Sequence, residues 1–225
     1  MIELEREGPV FVLRMRETGT RMGPDWLGAF AAALDEVESA SGAAALVTTG
    51  WGRNYSTGLD LEALMGPDRE RVPAFMDGLH ELFARLLGFR RPTVAALNGH
   101  TFAGGAMLAL AHDFRIMRED RGFFCLPEID LETGRPPTPG MLALLRARVP
   151  AGTLHEALVS GRRYGGSEAL ECGLVDAAAT EDRVLPLALE RALALADKDP
   201  ATLAAIKQNL HADALEVLRR RPALS

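Results

Sequence analysis

The chain has 225 residues, 48% of them hydrophobic, and 25 basic against 31 acidic side chains give a formal charge of −6. That length carries one sizeable core and is short for two, and an acidic balance gives no electrostatic reason to expect nucleic acid or an anionic membrane as partner. The two cysteines, Cys125 and Cys172, lack metal-ligand spacing and do not suggest an exported disulfide protein.

The start reads as a hairpin: Ile2 to Arg6 alternates, Glu7-Gly8-Pro9 turns, and Val10 to Met15 is rich in strand formers. Gly23-Pro24 opens a helix whose Trp26, Phe30, Leu34 and Val37 share one face. Gly42 ends it, and Ala43 to Thr49 reads as a buried strand. A glycine-bearing loop, Gly50 to Gly58, leads to a short helical segment near Leu61; Phe75, Leu79, Leu82, Phe83 and Leu86 mark the next amphipathic helix. Pro92 to Asn98 is a strand, Gly104 to Ala111 a helix, and Asp113 to Met117 a strand. Strands alternating with helices imply right-handed crossovers and a largely parallel α/β sheet.

After Pro139 the pattern predicts helices only: Leu142 to Val149, Leu154 to Val159, Ser167 to Cys172, Val184 to Ala196 and Thr202 to Leu218, with Ser167 as an N-cap and Gly173 as a stop. No apolar run follows a basic start, the apolar stretches are broken by charge, and the terminal Ala-Leu-Ser is not the peroxisomal tripeptide. The expectation is a cytoplasmic protein with no membrane span.

Two loops, each following a strand, could carry chemistry: Asn54-Tyr55-Ser56-Thr57-Gly58-Leu59-Asp60-Leu61, and Asn98-Gly99-His100 through Gly104-Gly105-Ala106-Met107. In a parallel sheet such loops converge at one edge, where ligands bind. A helix starting at Gly104-Gly105 would point free N–H groups at that edge, and two N–H groups aimed at one oxygen make an oxyanion hole. Plainer readings stand beside these. A glycine pair can serve close packing, Ser56 and Thr57 can form turns, Tyr55 can be core, and Asp60 can cap a helix. Glu128, in Leu126-Pro127-Glu128-Ile129-Asp130, sits in an apolar context and would suit general base work if buried, or could cap a turn or pair with an arginine. His100 is read as shaping its loop and His112 as a helix end, while His80, His155 and His211 are read as surface or boundary residues. Arg219-Arg220-Arg221 is a solvated charge run at a helix end. Spacing alone names no reaction.

Taken together and in this order, these elements resemble the crotonase (enoyl-CoA hydratase/isomerase) family, from the N-terminal hairpin to about Ala177. The stretch Pro92 to His100, continuing through Gly104-Gly105 to Ala111-His112-Asp113, is the most specific part; Asn54 to Leu61 and Leu126 to Asp130 match the family's two other loops. The resemblance implies a fold of repeated ββα units over residues 1–180, and a C-terminal helical region over 181–225 used in forming a homotrimer or a dimer of trimers. It implies acyl-CoA thioester substrates, with coenzyme A as part of the substrate and no further cofactor or metal. The N–H groups of Leu59 and Gly104 would be the oxyanion donors. Ser56, Thr57, Gly58, Asp60 and Leu61 would line the coenzyme A, with Gly105 and Met107 completing the substrate site.

Hydratases of the family carry two glutamates, and here the position of the first holds Met107, which cannot exchange a proton, while the second is Glu128. This is similar to the Δ3,Δ2-enoyl-CoA isomerases, and the wording around Asn98-Gly99-His100 is closest to the plant type. The implied activity shifts a 3-enoyl-CoA double bond to the 2-trans position, with Glu128 as proton shuttle. Other crotonase-type reactions (thioester hydrolysis, decarboxylation, weak hydration) and a non-catalytic acyl-CoA-binding role are the alternatives. Glu132 to Pro139 replaces the family's glycine-rich turn beside the expected acyl pocket with three prolines.

Overall fold

The computed structural model describes residues 1–16, 20–65, 69–131 and 136–220. Glu132 to Arg135 of the proline-rich segment and Arg221 of the arginine run lie outside the described residues.

Ile2–Glu7 (β1) and Val10–Met15 (β2) form the antiparallel hairpin, with Glu7 opposite Val10 and Gly8 turning at φ +61°. Arg21–Met22 (β3) precedes Pro24–Ser39 (α1), which starts with proline at its first turn and buries Trp26, Phe30, Ala33, Leu34 and Val37. Ala45–Thr49 (β4) is followed by two short strands, Asn54–Ser56 (β5) and Gly58–Leu59 (β6), then by Leu61–Met65 (α2) and Val72–Leu87 (α3). Thr93–Leu97 (β7), His100–Phe102 (β8) and Gly104–Ala111 (α4) come next. Phe114–Arg118 (β9), Phe124–Cys125 (β10), a 3-10 turn at Glu128–Asp130 and Pro139–Arg148 (α5) follow. The chain continues through Ala151–Ser160 (α6), Arg163–Tyr164 (β11), Gly166–Glu171 (α7) and Ala177–Ala179 (β12). It then closes with Glu181–Leu193 (α8), Pro200–Leu210 (α9) and Ala212–Arg219 (α10).

A six-stranded sheet runs β1-β2-β4-β7-β9-β12, parallel beyond the hairpin, and a second sheet runs β11-β10-β8-β5. Each of β4, β7 and β9 lies in the large sheet, is followed by a strand of the small one (β5, β8, β10), and then by a helix. This is the expected repeated ββα unit. Alternation splits the large sheet's side chains between two layers. Leu46, Ala95, Leu97 and Met117 join the main core, while Val47, Val94, Ala96 and Ile116 pack under Val184, Ala188 and Ala192 of α8.

Several expectations are corrected. The Gly50–Gly58 segment is not all loop, because β5 and β6 lie in it. The region after Pro139 contains β11 and β12 as well as helices, strands too short to carry a periodic signal. Thr202–Leu218 is two helices broken at His211. Ser167 lies inside α7, whose N-cap is Gly165; the Gly165 N–H donates to Glu168 at 3.2 Å. His80 and His211 are buried. His80 Nε2 lies 2.7 Å from the Thr138 hydroxyl, which in turn accepts the Met141 N–H and caps α5.

Ionic groups are buried where the C-terminal helices meet this frame. Lys207 of α9 donates to the carbonyls of Phe89 (2.9 Å) and Arg91 (3.1 Å) and to Asp113 Oδ2 (2.6 Å). Asp113 Oδ2 also accepts the Thr93 N–H at 2.8 Å.

Candidate active site

In the small sheet β5, β8 and β10 are parallel, and past a register shift between Asn54 and Ser56, Ser56 and Phe124 both lie opposite Thr101. Their C-terminal ends therefore leave the sheet at the same edge. Ser56 leads into Thr57-Gly58-Leu59, Phe102 into Ala103-Gly104, and Cys125 into Leu126-Pro127-Glu128. The three loops singled out in the sequence are brought together by register, as loops at the carboxyl edge of parallel strands should be.

The first two loops touch through backbone. A β-carbon built on Gly58 would lie 3.0 Å from the Gly104 nitrogen, and one on Gly105 would lie 2.3 Å from the Ser56 carbonyl oxygen. Only glycine at these positions permits that approach, and Gly58 also sits at φ +87°. β6 pairs with β3, Leu59 opposite Met22, and the Asp60 N–H donates to the Met22 carbonyl at 2.9 Å. Successive N–H groups of a strand point to opposite sides, so the Leu59 N–H is directed away from β3.

Gly104 is the first residue of α4, and the helix's first backbone bond is the Met107 N–H to the Ala103 carbonyl, 3.1 Å. The N–H groups of Gly104, Gly105 and Ala106 therefore have no acceptor within the helix, and they stand at its positive end. All eight residues of α4 are buried, which fixes its position in the core. Ala103, just before it, has φ +49°, the one positive φ outside glycine among the described residues. Such a conformation costs about 1–3 kcal/mol. It is held in part by the Ala103 N–H donating to the Cys125 carbonyl at 3.1 Å, a bond that also ties α4 to the Glu128 loop.

Glu128 is 9% exposed, and its Oε2 has no hydrogen-bond partner among the described residues. Burial raises its pKa above the ordinary carboxylate range, partly offset by its own backbone N–H. Among the described residues no arginine pairs with it, which separates it from the ion-pair reading. Its loop is buttressed by the end of α6, where Cys125 Sγ donates to the Gly161 carbonyl at 3.2 Å. Met107, one turn into α4, is buried at 2% exposure.

The other sequence-selected residues divide. The Ser56 hydroxyl is internal, donating to the Thr20 carbonyl at 2.8 Å and accepting the Gly58 N–H at 3.3 Å, so it shapes the loop. The Thr57 N–H donates to the same Thr20 carbonyl at 3.1 Å. Asp60 Oδ1 accepts the Ala63 N–H of α2 at 3.2 Å, an ordinary cap. Leu61 is exposed. Asp60 also lines a cleft of about 610 Å³ with Arg21, Trp26, Leu64 and Arg71. In the sequence nothing distinguishes these two arginines from solvated surface charge.

A family model described as enoyl-CoA hydratase/isomerase matches residues 21–224. Enoyl-CoA delta isomerase 3 of Arabidopsis thaliana is 36% identical over 185 residues, 80% of this chain and 77% of that protein. The peroxisomal enoyl-CoA delta isomerase 2 of the same plant is 31% identical over 230 residues, covering 97% and 95%. Among solved structures, a probable enoyl-CoA hydratase of Mycobacterium tuberculosis superposes with a TM-score of 0.88 at 28% identity, covering 97% of this chain and 91% of that one.

Proposed function

Because the chain belongs to the enoyl-CoA hydratase/isomerase family, whose members act on acyl-CoA thioesters, we propose that it is an isomerase that shifts the double bond of a 3-enoyl-CoA to the 2-trans position. The observation that carries this is Glu128, the one buried carboxylate with an unpartnered oxygen among the described residues, in the loop tied to the N-terminus of α4 through the Ala103 N–H, where one turn in the side chain is Met107. One carboxylate suffices to move a proton from C2 to C4. Orienting a water for addition across a double bond uses two.

In this reading the thioester carbonyl oxygen sits between the N–H groups of Leu59 and Gly104. Glu128 takes a proton from C2, and the negative charge of the dienolate spreads onto the oxygen held by the two donors. Losing one such donor costs about 3–4 kcal/mol of barrier. Protonated Glu128 returns the proton at C4, and no atom is gained or lost. The raised affinity of Glu128 for a proton serves both steps, since it lifts the base toward neutral pH and keeps its conjugate acid a ready donor. Met107 and its apolar neighbours exclude water from the dienolate. In this reading Arg21 and Arg71, which line the cleft with Asp60, are the cations that meet the phosphates of coenzyme A, so an acidic chain needs no global positive field.

A second reading is hydration of a 2-enoyl-CoA: one solved structure of the mycobacterial neighbour is named a probable hydratase and another of the same protein an isomerase, and Met107 disfavours hydration. The assay that separates them uses 3-hexenoyl-CoA, following the conjugated 2-enoyl product, with product mass as a second readout. Isomerisation leaves the mass unchanged and is lost in Glu128→Gln. A product heavier by one water, or free coenzyme A from thioester hydrolysis, sinks the isomerase reading.

A further inference from the structure

A chain of hydrogen bonds runs through the core from β5, the strand just before the Leu59 loop, to the end of α4, the helix that Gly104 begins. The Thr48 hydroxyl of β4 lies 2.8 Å from the Tyr55 hydroxyl of β5 and 3.0 Å from His112 Nε2. His112 directly follows α4, and its Nδ1 lies 2.8 Å from the Leu108 carbonyl of that helix. Thr48, Tyr55 and His112 are all fully buried.

The direction of each bond follows from chemistry. A carbonyl only accepts, so His112 Nδ1 carries a proton and donates to Leu108. Burial holds the imidazole neutral, its pKa pushed down to about 3, with Arg115, Lys207 and Arg148 adding to the effect against the opposing Leu108 bond. Nε2 is then a bare acceptor and takes the Thr48 O–H. The remaining lone pairs of Thr48 take the Tyr55 O–H, a proton that burial holds on the phenol well above its ordinary range. Each member thus has one role, and no alternative tautomer satisfies all of them.

The position of this chain matters more than its strength. Tyr55 is four residues before Leu59, and the segment between them is pinned by Ser56 and Gly58. His112 is the far end of α4, a short, wholly buried helix whose near end is Gly104. Resting on the oxyanion-hole reading above, we propose that Tyr55, Thr48 and His112 are positioning residues that set the separation of the Leu59 and Gly104 N–H groups. Glycine backbones touching at Gly58 and Gly104 make the near side of that separation a hard stop. The hydrogen-bond chain supplies a direct restraint between β5 and the end of α4 from within the core, beside the pairing of β5 with β8 and the bonds of Arg148 to the Leu110 and His112 carbonyls.

The test combines kinetics with the infrared carbonyl band of bound hexanoyl-CoA labelled with ¹³C at the thioester carbon, a ligand with no double bond to move. In the wild type the band falls to lower frequency on binding. Tyr55→Phe keeps the ring and removes only the O–H. It is expected to lose part of that shift and to lower kcat by about ten- to a hundredfold, the cost of a displacement on the order of 1 Å, with KM essentially unchanged. Thr48→Val should behave likewise, and Thr48→Ser, which restores the hydroxyl, should recover both the band and the rate. If the wild type shows no shift, the oxyanion-hole reading itself falls. If the wild type shows it and Tyr55→Phe keeps both band and kcat, losing only thermal stability, the positioning role is overturned and the chain is packing alone.

Discussion

The Gly104 nitrogen lies 3.0 Å from where a β-carbon on Gly58 would be, so two loops separated by 46 positions in sequence meet through bare backbone. That contact sets the Gly58 and Gly104 backbones side by side, next to the two N–H groups of the proposed oxyanion hole, and it leaves no room for a side chain. Gly58→Ala is therefore expected to fail twice over. A left-handed conformation disfavours any L side chain by about 1–2 kcal/mol, and the methyl pushes the loops apart at the donors. Turnover should fall by about a hundredfold if one donor moves out of range, while the melting temperature falls by only a few degrees. Gly28→Ala is the control, because its β-carbon meets nothing within 4 Å. Equal kinetics for the two variants would mean that the contact does not matter to catalysis.

Glu128 provides a pH signature. Its pKa is raised in the folded protein by burial, so it binds a proton more tightly there than in the unfolded chain. The stabilising contribution of the protonated form is complete below the unfolded pKa and is lost as pH rises through the folded one. Glu128→Gln, always neutral, should then be more stable than wild type above that window and equal to it below. The rate should run the opposite way. In the wild type kcat/KM rises as Glu128 deprotonates, with a midpoint above the usual carboxylate range, and in the variant it is flat and lower by about 10³-fold. Urea melts and pH–rate profiles on the same two proteins check both. A wild-type midpoint near 4 would show that the carboxylate is solvated during catalysis.

The parts of this arrangement legible in the sequence were those with a local physical signal. The hairpin was marked by alternation and Glu7-Gly8-Pro9, α1 by proline at its first turn, and α4 by the glycine pair and an unbroken apolar run. Leu59, Gly104 and Glu128 could be named because three loops matched a known pattern, but which strand ends met was a matter of register. β5, β6, β10, β11 and β12 have two or three residues each, too few for any period. The break at His211 was hidden because apolar spacing continues from α9 into α10. His80 looked like a surface residue since its partner, Thr138, lies 58 positions away. The Tyr55–Thr48–His112 chain was illegible for the same reason: each member is an ordinary residue of its own element, and only packing makes them a unit.

In the proposed function Met107 separates isomerisation from hydration. It is buried on α4, one turn from Gly104, at the position that the family resemblance assigns to the first of the hydratases' two glutamates. Met107→Glu restores that carboxyl to an apolar wall. Burial should raise its pKa and cost on the order of 1–3 kcal/mol of stability. The expected outcome is measurable hydration of 2-hexenoyl-CoA, seen as loss of the conjugated absorbance and a gain of one water in mass, with isomerisation diminished. Met107→Leu, close in volume, should keep isomerisation within a fewfold. Strong hydration by the wild type would remove the basis of the contrast.

Lys207 ties the C-terminal helices to the catalytic frame. Its ammonium is the donor to two carbonyls, Phe89 and Arg91, and to Asp113, whose carboxylate is bound to the start of β7 through the Thr93 N–H. Desolvation lowers the Lys207 pKa more than Asp113 raises it, so the pair is held by its full set of partners more than by charge attraction. Lys207→Met fills similar space but leaves two buried carbonyls and a carboxylate oxygen short of a donor. The cost should be about 3–5 kcal/mol, the range for removing one partner of a buried ion pair. Adding Asp113→Asn should recover part of that loss, since the stranded charge is then gone although the carbonyls are still unpaired. Denaturant midpoints of the wild type, the two single variants and the double variant give the coupling directly. Purely additive losses would show that Lys207 acts through the carbonyls alone.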